Sequence, residues 1–205
     1  MEAMEETELV QPARRGRAAL FVAVPVAVVM VLLVAVLITR KSAADRADFD
    51  RLHNQPAPEI VGTTLDGKPF NLDDYKGKWV VVNFFAQWCV PCQQEHPDLV
   101  SFWQRHEVAK DDVQLVSVVF NDDLSKVKDF FARAGGDWPV VTGDSGRMAL
   151  DYSVVRVPDT YIIDPIGIVR DRLQRPVQNS DELDGIISQL NQQLYGSTAP
   201  SSSGP

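Results

Sequence analysis

The order of hydrophobic and polar positions divides the chain into distinct regimes. Residues 1–17 are polar, with an acidic cluster (Glu2, Glu5, Glu6, Glu8) followed by a basic one (Arg14, Arg15, Arg17). Ala18 to Ile38 runs without a charge. Residues 39–54 are again polar and lead into the stiff Gln55-Pro56-Ala57-Pro58. From 55 to 195 short β-branched runs alternate with segments of helical period, the pattern of a mixed α/β sheet. Residues 196–205 are rich in Ser, Gly and Pro and have nothing to bury.

Within 55–195 the elements follow from local pattern. Asp66-Gly67-Lys68 predicts a hairpin turn between two short strands. Lys78 to Phe85 is almost unbroken apolar sequence, suited to the centre of a sheet covered on both faces. A helix is predicted from Cys89 or Pro91, and a second buried strand over Val113–Phe120. Leu124–Ala134 has helical period and stops at Gly135-Gly136. Trp138–Thr142 predicts a short strand and Arg147–Tyr152 a short helix. Thr160–Ile163 and Ile168–Leu173 predict strands joined by the turn Asp164-Pro165-Ile166-Gly167. Ser180 opens a final helix, with Asp181 and Glu182 in its first turn.

The apolar run 18–38 has the length of a bilayer-spanning helix, and Pro25 lies in its first third. It is longer than the apolar core of a cleaved signal peptide, which favours an uncleaved anchor. Ser42-Ala43-Ala44, a small-x-small triplet, keeps cleavage open. Basic residues flank both ends, so the charge rule does not set the orientation.

Composition changes this picture only where chemistry enters. The 205 residues carry 20 Lys and Arg against 28 Asp and Glu, a formal charge of -8. An acidic surface argues against a nucleic-acid partner. There are two cysteines, Cys89 and Cys92. Closing so short a loop does little for the entropy of the unfolded chain, so structural stapling explains the pair poorly.

A C-x-x-C pair that follows a strand and opens a helix is a redox arrangement. A helix N-terminus lowers a thiol pKa and makes a nucleophile. Cys89, at the helix start, is the expected attacking sulfur. Cys92, one turn in, is the expected resolving sulfur. Pro91 suits the first turn because it has no N–H to satisfy. Competing readings are weaker. A zinc site of Cys89, Cys92 and His96 lacks a fourth ligand in sequence. Haem attachment needs His next to the second cysteine, where Gln93 stands. Neither a metal nor a cofactor is expected.

The segment Trp88-Cys89-Val90-Pro91-Cys92, with Pro97 five residues on and Val157-Pro158-Asp159-Thr160 downstream, resembles the active site of thioredoxin-like proteins. Ala57-Pro58-Glu59-Ile60, Gly62 to Lys68 and Pro158 to Asp164 extend the likeness to the membrane-anchored TlpA, ResA and CcmG group, over roughly 55–195. The resemblance implies a thioredoxin-like α/β fold with an N-terminal β-hairpin extension and a central insertion near 121–137. It implies one transmembrane helix at 18–38, a cytoplasmic tail at 1–17 and a catalytic domain outside the membrane. It makes Val157-Pro158 a cis-proline loop facing the cysteines, with Trp88, Val90, Pro91 and Val157 contacting substrate. The expected activity is thiol–disulfide exchange on protein disulfides. The expected role is reduction of the C-x-x-C-H disulfide of apocytochrome c, with electrons from a membrane thiol–disulfide donor. A general envelope oxidoreductase and a non-catalytic binding module are the rival readings.

Residues around the cysteines tune this expectation. Asn83, six before Cys89, stands where many thioredoxins carry a buried Asp, and it cannot ionise. Glu95, three after Cys92, lies one helical turn from the thiols and is either an acid–base group or a solvated helix residue. His96 points about 100° away and reads as packing or surface. Val90-Pro91 places no positive charge beside the Cys89 thiolate, which predicts a reducing couple.

Overall fold

Two strands with β-branched cores organise the domain. In a computed structural model that describes residues 25–35 and 51–196, β3 (Trp79–Phe85) and β4 (Val113–Val119) lie side by side, parallel, and are buried along their whole length. Around them runs one seven-stranded mixed sheet. Its remaining strands are β1 (Val61–Thr64), β2 (Pro69–Asn71), β5 (Val140–Thr142), β6 (Asp159–Ile163) and β7 (Val169–Leu173). The order is β2-β1-β5-β4-β3-β6-β7. The β1–β2 hairpin joins this sheet as its outer edge, through antiparallel pairing of β1 with β5.

Alternation along β3 gives each face its own core. Trp79, Val81 and Phe85 face one layer. There they pack with Leu99 and Phe102 of α1 (Val90–Ala109), Val127 of α2 (Leu124–Ala134), and Leu183 and Ile187 of α4 (Glu182–Tyr195). Val80, Val82 and Phe84 face the other. They pack with Met148 and Ala149 of α3 (Ser145–Asp151), and with Tyr152, Leu52 and Ile60. The architecture is the mixed-sheet, thioredoxin-like α/β arrangement expected from the sequence.

The insertion between β4 and β5 holds α2. It ends at Gly135 and Gly136, both at positive φ (81° and 103°). A Cβ on Gly136 would sit 2.7 Å from the Trp138 ring, so a side chain is excluded twice over there. α4 begins at Glu182, two residues later than Ser180, because Ser180 and Asp181 form the turn that precedes it.

Ordered packing begins ahead of the boundary drawn from composition. Leu52 is buried, Asn54 N–H donates to the Val169 carbonyl at 2.9 Å, and Pro56 bridges to Ile168. Polar sequence at 51–58 conceals an edge that docks on β7.

The chain divides into two units, 1–46 and 47–205. Of the first, residues 25–35 are described, and they are helical. Among the described residues no helix is long and apolar enough to cross a membrane. The rest of the expected anchor, the tail at 1–17, the linker up to residue 50 and 197–205 lie outside the described residues.

Candidate active site

Cys89 ends the loop after β3 and caps α1. Its backbone is extended (φ -80°, ψ 107°), and its sulfur accepts from the Cys92 N–H at 3.2 Å. A sulfur in this position takes one of the unpaired amides of the helix start, the condition that favours a thiolate. Pro91 sits in the first turn, where no donor is missed. Cys89 and Cys92 are joined in a disulfide, with Cα atoms 5.3 Å apart. Cys89 is 4% exposed and Cys92 is fully buried, so both cysteines belong to the core and Cys89 is the less deeply covered of the two. Around it Trp88 (52% exposed) and Val90 (60%) offer apolar surface, and Pro91 is exposed.

The Val157–Pro158 peptide is cis, and the Val157 carbonyl lies 3.5 Å from Cys89 Sγ. Sequence distance is large here, yet β6 delivers the loop to the cysteines because it pairs antiparallel with β3. A feature not anticipated from the sequence holds the loop. Asp159 is gripped at both oxygens by Arg172, at 2.9 and 2.6 Å, with both side chains buried. Arg172 also donates to the Ser153 carbonyl at 3.0 Å and lies over the Tyr161 ring. The signal in sequence is only a charged residue inside a predicted strand.

The other side of the site is held by the loop that opens the insertion. Trp88 Nε1–H donates to the Asn121 carbonyl at 3.1 Å, Gln87 N–H donates to the Asp122 carboxylate, and Phe120 N–H donates to the Phe85 carbonyl at 2.8 Å. Asn121 has φ 43°, a left-handed conformation that Asn tolerates.

Glu95 is not a solvated helix residue. It is 1% exposed, on the same face of α1 as Cys92. Oε1 accepts from Asn83 Nδ2 at 3.0 Å and Oε2 accepts from the Val177 N–H at 2.8 Å. Burial pushes its pKa up from 4.5 to about 7. The two hydrogen bonds oppose that shift, and the charges of Asp98 and Glu182 add to it. A carboxyl so placed holds or releases a proton near neutrality.

His96 turns away from the thiols. Nε2 meets the Gly135 carbonyl at 2.9 Å, among Phe85, Phe130, Phe131 and Trp138. Burial lowers its pKa, so it is a neutral packing residue that ties α1 to the end of the insertion. Cys89, Cys92 and His96 therefore do not converge on a zinc site.

A strand–C-x-x-C–helix junction set against a cis-proline loop, on a mixed thioredoxin-like sheet, defines a thiol–disulfide oxidoreductase. Comparison with known proteins agrees. Residues 53–172 match the model of the AhpC/TSA family, and the chain belongs to that family. It is similar to the thiol:disulfide interchange protein HelX of Rhodobacter capsulatus, with 33% identity over 139 residues covering 60% of this chain and 76% of the relative. It is also similar to the thiol-disulfide oxidoreductase ResA of Bacillus thuringiensis, with 28% identity over 134 residues covering 65% and 76%. A thiol:disulfide interchange protein from Chlorobium tepidum superimposes with TM-score 0.60 and 31% identity, over 65% of this chain and 94% of that one.

Proposed function

We propose that the protein is a membrane-anchored reductant, with its dithiol domain on the outer face of the cytoplasmic membrane and apocytochrome c as its substrate. The observation that carries the reducing direction is the setting of Cys89. The residues between the cysteines, Val90 and Pro91, are uncharged, and the donor on Cys89 Sγ is a single backbone amide. Among the described residues Cys89 Sγ meets only the Cys92 N–H and the Val157 carbonyl, with no cation of the kind a strong oxidant uses to stabilise its thiolate. The anchor rests on the uncharged run 18–38, and the substrate on the likeness to the ResA and HelX proteins.

In the forward reaction the Cys89 thiolate attacks one sulfur of the substrate disulfide and expels the other as a thiolate. Cys92 then gives its proton to Glu95 and attacks Cys89 Sγ. The second substrate sulfur leaves as the Cys89–Cys92 disulfide forms; Glu95 returns the Cys92 proton to it, and solvent protonates the first, so the product is a dithiol. A membrane thiol–disulfide donor returns two electrons to the pair. Trp88, Val90, Pro91 and Val157 form the surface that meets the substrate peptide, and the backbone of Val157 pairs with it as an added strand.

The test is a strain carrying Cys89→Ser. Mature c-type cytochromes should be lost and restored by an added thiol. Unchanged cytochromes would overturn the substrate and favour a general envelope oxidoreductase.

A further inference from the structure

One atom near the site has no counterpart in the disulfide form. Asn83 is fully buried on β3, between Val81 and Phe85 on the face that packs against α1. Its amide nitrogen spends both protons, one on Glu95 Oε1 and one on Thr160 Oγ1, each at 3.0 Å. The Thr160 contact follows from the register, which sets Asn83 opposite Thr160. The amide oxygen is left over. Among the described residues, Asn83 Oδ1 is the one buried side-chain oxygen without a hydrogen-bond partner. An unpaired buried acceptor is costly in the state that leaves it so, and a state that supplies a donor relieves that cost.

Reduction supplies a donor in that region. Cys92 is fully buried in the same core cluster as Val81 and Phe85, and it precedes Glu95 by one turn on the same face of α1. In the disulfide its sulfur carries no hydrogen. In the dithiol it carries an S–H that water cannot reach. We propose that Asn83 Oδ1 accepts the Cys92 S–H in the reduced enzyme, which makes Asn83 a positioning residue for the resolving thiol. The amide would then hold Glu95 by its nitrogen and Cys92 by its oxygen, keeping the proton donor and its carboxylate in register. Reduction by a dithiol delivers two electrons and two protons, one hydrogen to each sulfur, and the donor leaves as its own disulfide.

The test reads the thiol directly. The S–H stretch of Cys92 is recorded by infrared spectroscopy on the reduced full-length chain, with Cys89→Ser isolating the band. Asn83→Leu should move the band to higher wavenumber, and Thr160→Val, which leaves Oδ1 in place, should not. The equilibrium constant against dithiothreitol should shift towards the disulfide in Asn83→Leu by about three- to tenfold, the worth of one hydrogen bond. The same shift should survive in a Glu95→Gln background. Loss of the shift in that background would mean that Asn83 acts only through the carboxylate, and would overturn the proposal. Should Asn83→Leu not fold, the side-chain carbonyl of ¹³C-labelled Asn83 in the unsubstituted chain decides. Its band should fall on reduction, and an unchanged band refutes the assignment.

Discussion

Asn83 and Glu95 face each other across the β3–α1 contact, with Asn83 Nδ2 donating to Glu95 Oε1 at 3.0 Å and both side chains buried. Neither has solvent to fall back on, so the protonation of one carboxyl is felt in stability as well as in chemistry. The folded state holds the Glu95 proton more tightly than an unfolded chain does, because its pKa is about 7 rather than 4.5. The stability this contributes is fully present below pH 4.5 and is lost as pH rises to about 7. The amount is about 3 kcal/mol.

Glu95→Gln should therefore flatten the fall in unfolding free energy between pH 5 and pH 8 by about 2–3 kcal/mol, measured by urea denaturation of the oxidised chain. The same variant should slow formation of the Cys89–Cys92 disulfide from the mixed disulfide, with its pH profile losing the step near 7. Equal pH slopes in both proteins would show that the carboxyl does not titrate in this range.

Cys92→Ser should leave protein substrates trapped on Cys89, visible on non-reducing gels and identifiable by mass spectrometry. Cys89→Ser should trap none and should reduce no disulfide above the uncatalysed background. The difference follows from burial, since the Cys92 sulfur lies one turn behind the exposed rim of Trp88 and Val90. Traps of similar yield on either cysteine would contradict the assignment of roles.

Arg172→Met should destabilise the domain by about 3–5 kcal/mol in thermal or urea unfolding, since it removes the charge and both hydrogen bonds that Arg172 gives the buried Asp159 carboxylate. Adding Asp159→Leu should recover most of the loss. If the single variant proves as stable as the parent, the Arg172–Asp159 pair contributes nothing to the loop that carries Val157-Pro158.

A redox titration should place the couple at a potential more negative than about -120 mV, the range of a strong oxidant. The reason is local. Val90 and Pro91 bring no charge to Cys89, and the nearest histidine in sequence, His96, is neutral and turned to Gly135. A value near -120 mV would remove the reductant reading.

Much of this site was open to reading from the sequence alone. Spacing put Cys89 and Cys92 at a strand-to-helix junction, because a β-branched run and a first-turn proline are local signals. The order of strands and helices was legible for the same reason, down to the stop at Gly135-Gly136. Resemblance, not pattern, pointed to Pro158 as the partner loop. What only the tertiary structure decided depends on atoms far apart in sequence. Burial of Glu95 depends on β3 and the Val177 loop closing over it, so the sequence left it between acid–base group and solvated residue. Arg172 became a buried clamp because β7 lies beside β6, and residues 51–54 at the end of the expected linker became part of the domain by docking beside β7. Local pattern specifies where a residue sits along its element. Which charges lose their water, and whose hydrogen bonds replace it, is settled only when the elements pack.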